Sequence, residues 1–214
     1  MQLPPPTDLA ALLGIDLVLC AAGLRLVARR HANTRRARWA VLACFAFLWF
    51  PAGAAHLPLL AYVRGITSDL SVTLVALACL VLGQRLLGLP ALARRNQMAL
   101  SGVVVVAASW LYPTALGWGD WDAYRLGWGS FSLLGALLAL VVVFLLNGLR
   151  LLPALVGLAL LGWVAGLMES TNLWDYLIDP WLVTGALIQI IKALAQALLR
   201  RYRRSPAADQ SLQS

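Results

Sequence analysis

Seven apolar runs, each close to the length of a bilayer-crossing helix and divided by short polar loops, leave this chain little choice of fold. A helix rises about 1.5 Å per residue and the hydrocarbon core is about 30 Å thick, so roughly 20 apolar residues cross it. The runs lie at 9–28, 39–63, 69–89, 98–117, 131–147, 153–168 and 181–199. They predict an all-α integral membrane protein: a polytopic bundle of about seven transmembrane helices forming one domain over 1–204, then a disordered cytoplasmic tail at 205–214. Only 12% of the 214 residues are charged, about half the fraction usual in a soluble domain. Almost no sequence is left for one.

Two runs depart from the simple pattern. The fifth and sixth are short, and Asn147-Gly148 followed by Pro153 is a breaker signal that separates them. The second contains Pro51, Gly53 and Pro58. Proline removes a hydrogen bond from the helix ladder, which predicts a kinked or locally broken helix; an ordinary kinked span is the simpler expectation.

Charge gives the orientation. Arginines at 29, 30, 35, 36, 38, 94, 95, 150, 200, 201, 203 and 204 fall in the loops after runs one, three and five and in the tail. The other side has Arg64 and Arg125 against Asp8, Asp120, Asp122, Glu169, Asp175 and Asp179. Basic loops stay in the cytoplasm, so the N-terminus is expected outside and the C-terminus inside, with an odd number of spans. The net charge of +8 is accounted for by these clusters beside apolar runs. They fit anionic headgroups on the cytoplasmic face and give no reason to invoke nucleic acid. Sixteen arginines against one lysine is the usage of a GC-rich bacterial genome, so the expected location is a bacterial inner (cytoplasmic) membrane. The first residues lack a basic segment, and a cleaved signal peptide is not expected.

Ionisable and polar groups inside a span are costly and by default mark a function or a buried pair. Asp16, His56, Gln189 and Lys192 are the intramembrane polar candidates. Gly185, Gln189, Lys192 and Gln196 share one helical face, which lipid would tolerate poorly. That face is therefore expected to point into the bundle, where Asp16 is placed to pair with Lys192 or His56; the equal alternative is that Lys192 snorkels to the arginine tail and Asp16 caps a neighbouring backbone. Arg85, near an inner end, can snorkel. A lone lysine in a seventh helix resembles the microbial rhodopsins in topology, but Ile188 stands where that family carries an aspartate, and the aromatic residues are mostly in loops.

The outer loops supply the other candidates. Asp120, Asp122, Arg125, Glu169, Asp175 and Asp179 are outer-interface groups; Trp118, Trp121, Trp128, Trp174 and Trp181 are expected to anchor in lipid at headgroup level. Asp120-Trp-Asp122 has the D-x-D spacing with which metal-dependent glycosyltransferases hold a divalent cation, and Arg125 can engage phosphate. The motif is short and recurs by chance. Only His31 and His56 are present, which excludes a multi-histidine metal or haem site within the chain. Cys20, Cys44 and Cys79 lie inside spans without paired spacing and read as packing residues. Neither a cofactor nor a metal is expected, and no hydrolase, protease or P-loop signature names a reaction. Three functions follow. The first is a non-catalytic accessory component working with an envelope protein partner in lipid or surface-glycan assembly. The second is a lipid-processing enzyme with an acidic site at the outer interface. The third is a small transporter or channel with a polar pathway lined by helices one, two and seven.

Overall fold

The computed structural model describes residues 5–27 and 34–204; Arg29, Arg30, His31 and the 205–214 tail lie outside the described residues. The fold is all-α, 76% helical with nine helices among the described residues. In chain order they are α1 (Pro6–Val27), α2 (Thr34–Leu48), α3 (Leu59–Thr67), α4 (Val72–Leu82), α5 (Arg94–Ala115), α6 (Phe131–Leu146), α7 (Leu151–Val164), α8 (Leu173–Leu177) and α9 (Pro180–Arg204). A π turn at Gly83–Leu87 continues α4, and a 3-10 turn at Ala123–Gly127 lies between α5 and α6. Three helical stretches are long and apolar enough to cross a membrane: Pro6–Arg25, Arg94–Ala115 and Pro180–Arg200. Val72–Leu87, Phe131–Leu146 and Leu151–Val164 are apolar but shorter.

The break between the fifth and sixth runs is where the sequence placed it. The Leu149 N–H donates to Phe144 O at 2.9 Å and Gly148 N–H to Leu145 O at 2.9 Å, with Gly148 at φ +70°. These two bonds satisfy carbonyls that the end of α6 would otherwise leave open, and α7 restarts at Leu151.

The second run differs from a kinked span. Its helix stops at Leu48, and the chain makes a β-hairpin in which β1 (Pro51–Ala52) pairs antiparallel with β2 (Leu57–Pro58) before α3 begins. Two prolines opposite each other, Pro51 and Pro58, lack the N–H groups a continuous ladder needs. The tip turns through Gly53 at φ +67° and His56 at φ +49°. Tyr62 closes the base by donating its hydroxyl to Ala52 O at 3.0 Å, and Leu59 N–H donates to Phe50 O at 3.2 Å. Just before the hairpin, the Trp49 indole N–H donates to Oδ2 of the fully buried Asp16 at 2.8 Å, while the Cys20 thiol donates to Asp16 Oδ1 at 3.4 Å. That bond fastens the end of α2 to the middle of α1.

Around this break the helices pack in two halves joined by α4, which touches α1, α7, α8 and α9. Cys20, Ala21 and Leu24 of α1 bury against Ala37 of α2 and Ala78, Val81 and Leu82 of α4. Ile15, Leu60 and Leu70 form a small core between α1 and α3. The larger core joins α5, α6, α7, α8 and α9 through residues such as Val104, Ala108, Leu133, Leu155, Ala159 and Val183. The helix α9 leans on α5, where Ser101 donates to Gln189 Oε1 at 2.7 Å.

The Asp16–Trp49 bond makes a prediction. Trp49→Phe removes the indole N–H from a buried carboxyl, and unfolding in detergent is expected to show a loss of about 2 kcal/mol. Adding Asp16→Leu should recover part of it, because the unsatisfied acceptor goes too; fully additive losses would contradict the pairing.

Candidate functional site

Apart from Asp16, the acidic side chains among the described residues collect at one end of the bundle, where α1, α4 and α9 begin and α5 and α7 end. Here the loops 117–130 and 169–180 are knitted together. The Trp174 indole N–H donates to Ala123 O at 3.0 Å and Asn172 Nδ2 donates to Tyr124 O at 3.0 Å. A Cβ on Gly127 would collide with the Asn172 and Trp174 side chains, so only glycine lets the loops approach this closely. Asp175 Oδ2 accepts from the Tyr124 hydroxyl at 2.8 Å and from the Ser170 hydroxyl at 2.5 Å. Tyr176, with no exposed surface, donates to Ser170 O at 3.0 Å. These loops form a hydrogen-bonded cap, buried at Ala123, Gly127 and 172–174 and exposed along 117–121.

Asp179 is the deepest acid of this end, at 5% exposure. Its Oδ1 accepts from the Trp181 and Leu182 backbone N–H groups, both at 2.8 Å, which caps α9. Its Oδ2 accepts from Ser71 N–H at 2.9 Å and from the Ser71 hydroxyl at 2.5 Å. The same Ser71 oxygen accepts from Leu74 N–H at 3.2 Å and caps α4. One carboxylate thus serves two helix N-termini, each of which carries orphan donors and partial positive charge.

Sequence reasoning missed a second joint. Arg64 reaches Asp8 at 2.6 Å, Asp69 at 2.7 Å and Glu169 at 3.3 Å, tying together the start of α1, the end of α3, the approach to α4 and the loop after α7. The available signal was its isolation, one of two arginines on a side otherwise acidic.

Of the outer-interface candidates, Asp120, Asp122 and Arg125 come together. They line an open pocket of about 370 Å³ with Thr114, Trp121 and Leu126. Asp122 Oδ1 accepts from Tyr124 N–H at 2.9 Å, capping the 3-10 turn, and its Oδ2 lies 3.9 Å from Arg125 Nε. Arg125 is 81% exposed. Glu169, Asp175 and Asp179 are held elsewhere by the contacts above. Among the described residues no three His, Cys, Asp or Glu side chains are grouped to hold a metal ion.

The aromatic candidates divide. Trp118, Trp121, Trp128 and Trp181 are exposed. Trp174, expected in lipid, is instead buried, because its indole bonds to Ala123 and its ring lies edge-on to Trp110 at 6.4 Å. Trp110 also contacts Trp121 at 5.0 Å.

The intramembrane candidates do not converge. Asp16 bonds to Trp49 and Cys20, with neither Lys192 nor His56 beside it. His56 sits exposed on the hairpin, Gln189 bonds to Ser101, and Lys192 is exposed, with no ion pair or hydrogen bond among the described residues. The polar stripe of α9 was expected to face inward. Only its flank at Gln189 does, because α9 lies at the edge of the bundle with 17% of its apolar window buried.

Comparison with protein families, characterised proteins and solved structures finds no match to this chain.

Burial, and next the bond to Asp175, push the Tyr124 hydroxyl up to about 12. A raised value means that the folded chain favours the neutral phenol. Its contribution is therefore complete below pH about 10, the unfolded value, and disappears as pH rises through about 12. Alkaline titration followed by tyrosinate absorbance is expected to lose one tyrosine's share of the amplitude near pH 12 in Tyr124→Phe. An unchanged profile would contradict the assignment.

Proposed function

We propose that this protein is a seven-span component of a bacterial inner membrane, N-terminus outside and C-terminus cytoplasmic. In this reading it acts without catalysis, alongside other envelope proteins, in lipid or surface-glycan assembly. The seven segments are α1, the broken pair α2 with α3, α4, α5, α6, α7 and α9, with α8 and the 3-10 turn lying in outer loops. Their order puts Arg35, Arg36, Arg38, Arg94, Arg95, Arg150 and Arg200 at one end and the acids at the other, which supports the orientation by the charge rule. The arginine end meets anionic headgroups.

The observation that carries the non-catalytic reading is the use made of the acids. Asp8, Asp69 and Glu169 hold Arg64, Asp175 holds the two loops, and Asp179 holds two helix starts. A general acid or base needs a lone pair or proton free to face a substrate; of these carboxylates only that of Glu169, 63% exposed, keeps an open side. A polar pathway also lacks support, since Asp16, His56, Gln189 and Lys192 meet different partners or none.

One observation favours a second reading. Asp120, Asp122 and Arg125 share an open pocket, with the charges to engage a lipid headgroup, as a lipid-processing enzyme would require. The two are separated by complementing a deletion strain with Asp120→Asn, Asp122→Asn and Glu169→Gln combined. Asparagine caps as well as aspartate, so the fold is kept while the charges go. Full complementation at an unchanged membrane level is expected. Loss of function at that level would overturn the non-catalytic reading in favour of the enzyme.

A further inference from the structure

The outward stripe of α9 is the least explained surface of the molecule. Trp181, Gly185, Ile188, Lys192, Gln196 and Leu199 follow one another along one face of the helix, and all are exposed. Lys192 has no ion pair or hydrogen bond among the described residues. By helix rise it lies about 16 Å from Trp181 at one end of the span and about 12 Å from Arg200 at the other. Its extended side chain covers only about half of the way to the arginine end, so snorkelling leaves the ammonium short of the headgroups. Gln196 adds an amide to the same strip, and at Gly185 a Cβ would meet nothing within 4 Å, which leaves open space for a neighbouring backbone.

A charged and an amide side chain at that depth call for a protein neighbour, because hydrocarbon offers no acceptor. Two copies of this chain meeting on the stripe would bring lysine against lysine. A second copy also has no exposed acid at that depth: Asp16 is buried, and the other described acids lie at the loop end. Charge complementarity therefore selects a different chain.

We propose that the Gly185–Lys192–Gln196 face of α9 docks a transmembrane helix of another protein, one that carries an Asp or Glu near the bilayer centre opposite Lys192. Gly185 admits the close helix approach that drives association in lipid, and the buried lysine–carboxylate pair fixes register and partner choice. The proposal rests on the membrane-spanning, partner-dependent reading above and names the face and the chemistry of the contact.

The test places a photoreactive amino acid at Ile188 in the full chain, in native membranes, with Leu138 of α6, which is 65% exposed, as the lipid-facing control. The expected result is a protein adduct from Ile188 and not from Leu138, retained in Lys192→Arg and reduced at least tenfold in Lys192→Met. Mass spectrometry of the adduct gives the partner helix. Reversing the pair, Lys192→Glu with the partner's acid changed to lysine, should restore it. Lipid adducts alone, an adduct between two copies, or equal adducts in Lys192→Met would each overturn the proposal, provided that thermal midpoints in detergent match. The same photoreactive residue at Trp121 separates the two readings. Protein adducts there but not at Ile188 would overturn the α9 contact and leave the accessory role standing; protein adducts at neither would sink both.

Discussion

Two helices that start at the same place need somewhere to put their unpaired N–H groups, and in this molecule both use Asp179. The carboxylate is buried, which would be costly were it not met by four donors from Ser71, Trp181 and Leu182. Its position sets α4 beside α9, and α4 in turn touches α1 and α7. The Arg64 cluster repeats the device nearer the surface, where one guanidinium collects three acids from three other parts of the chain. Between them, a negative charge under two positive helix ends and a positive charge among three negative ones partly neutralise this end internally.

That internal neutralisation bears on function. An acidic, tryptophan-rich rim reads in sequence as a reactive surface. In three dimensions its acids are caps and struts, and Trp174 and Tyr176 are buried pegs between loops. What stays open here is the pocket of Asp120, Asp122 and Arg125, the exposed Trp110, Trp118, Trp121, Trp128 and Trp181, and the outward strip of α9. Acids spent as caps and struts, with a few exposed recognition features beside them, suit the accessory role proposed above.

The helix positions were legible because apolar runs and breakers act locally. Asn147-Gly148 and Pro153 end and restart helices at the expected point. The hairpin in the second run was only half legible. Pro51, Gly53 and Pro58 signal interruption, but whether a helix kinks or turns out depends on a remote partner, and Trp49 finds one in Asp16. Periodicity put Gln189, Lys192 and Gln196 on one face of α9 but was silent on where that face points, since the same stripe suits a central helix or an edge one. Asp179 was picked out as an interfacial acid, whereas its pairing with Ser71 spans 108 residues of chain, a distance over which no local pattern carries information.

The joint at Asp179 is tested most directly by backbone hydrogen exchange in detergent, comparing the native chain with Asp179→Ala. If one carboxylate secures both helix starts, the amides of Ser71, Trp181 and Leu182 lose protection together. The increase should be at least about tenfold at each, the smallest change expected from losing a charged hydrogen bond of about 1.5 kcal/mol. Faster exchange at Trp181 and Leu182 alone, with Ser71 still protected, would mean that α4 is anchored independently, and would contradict the account.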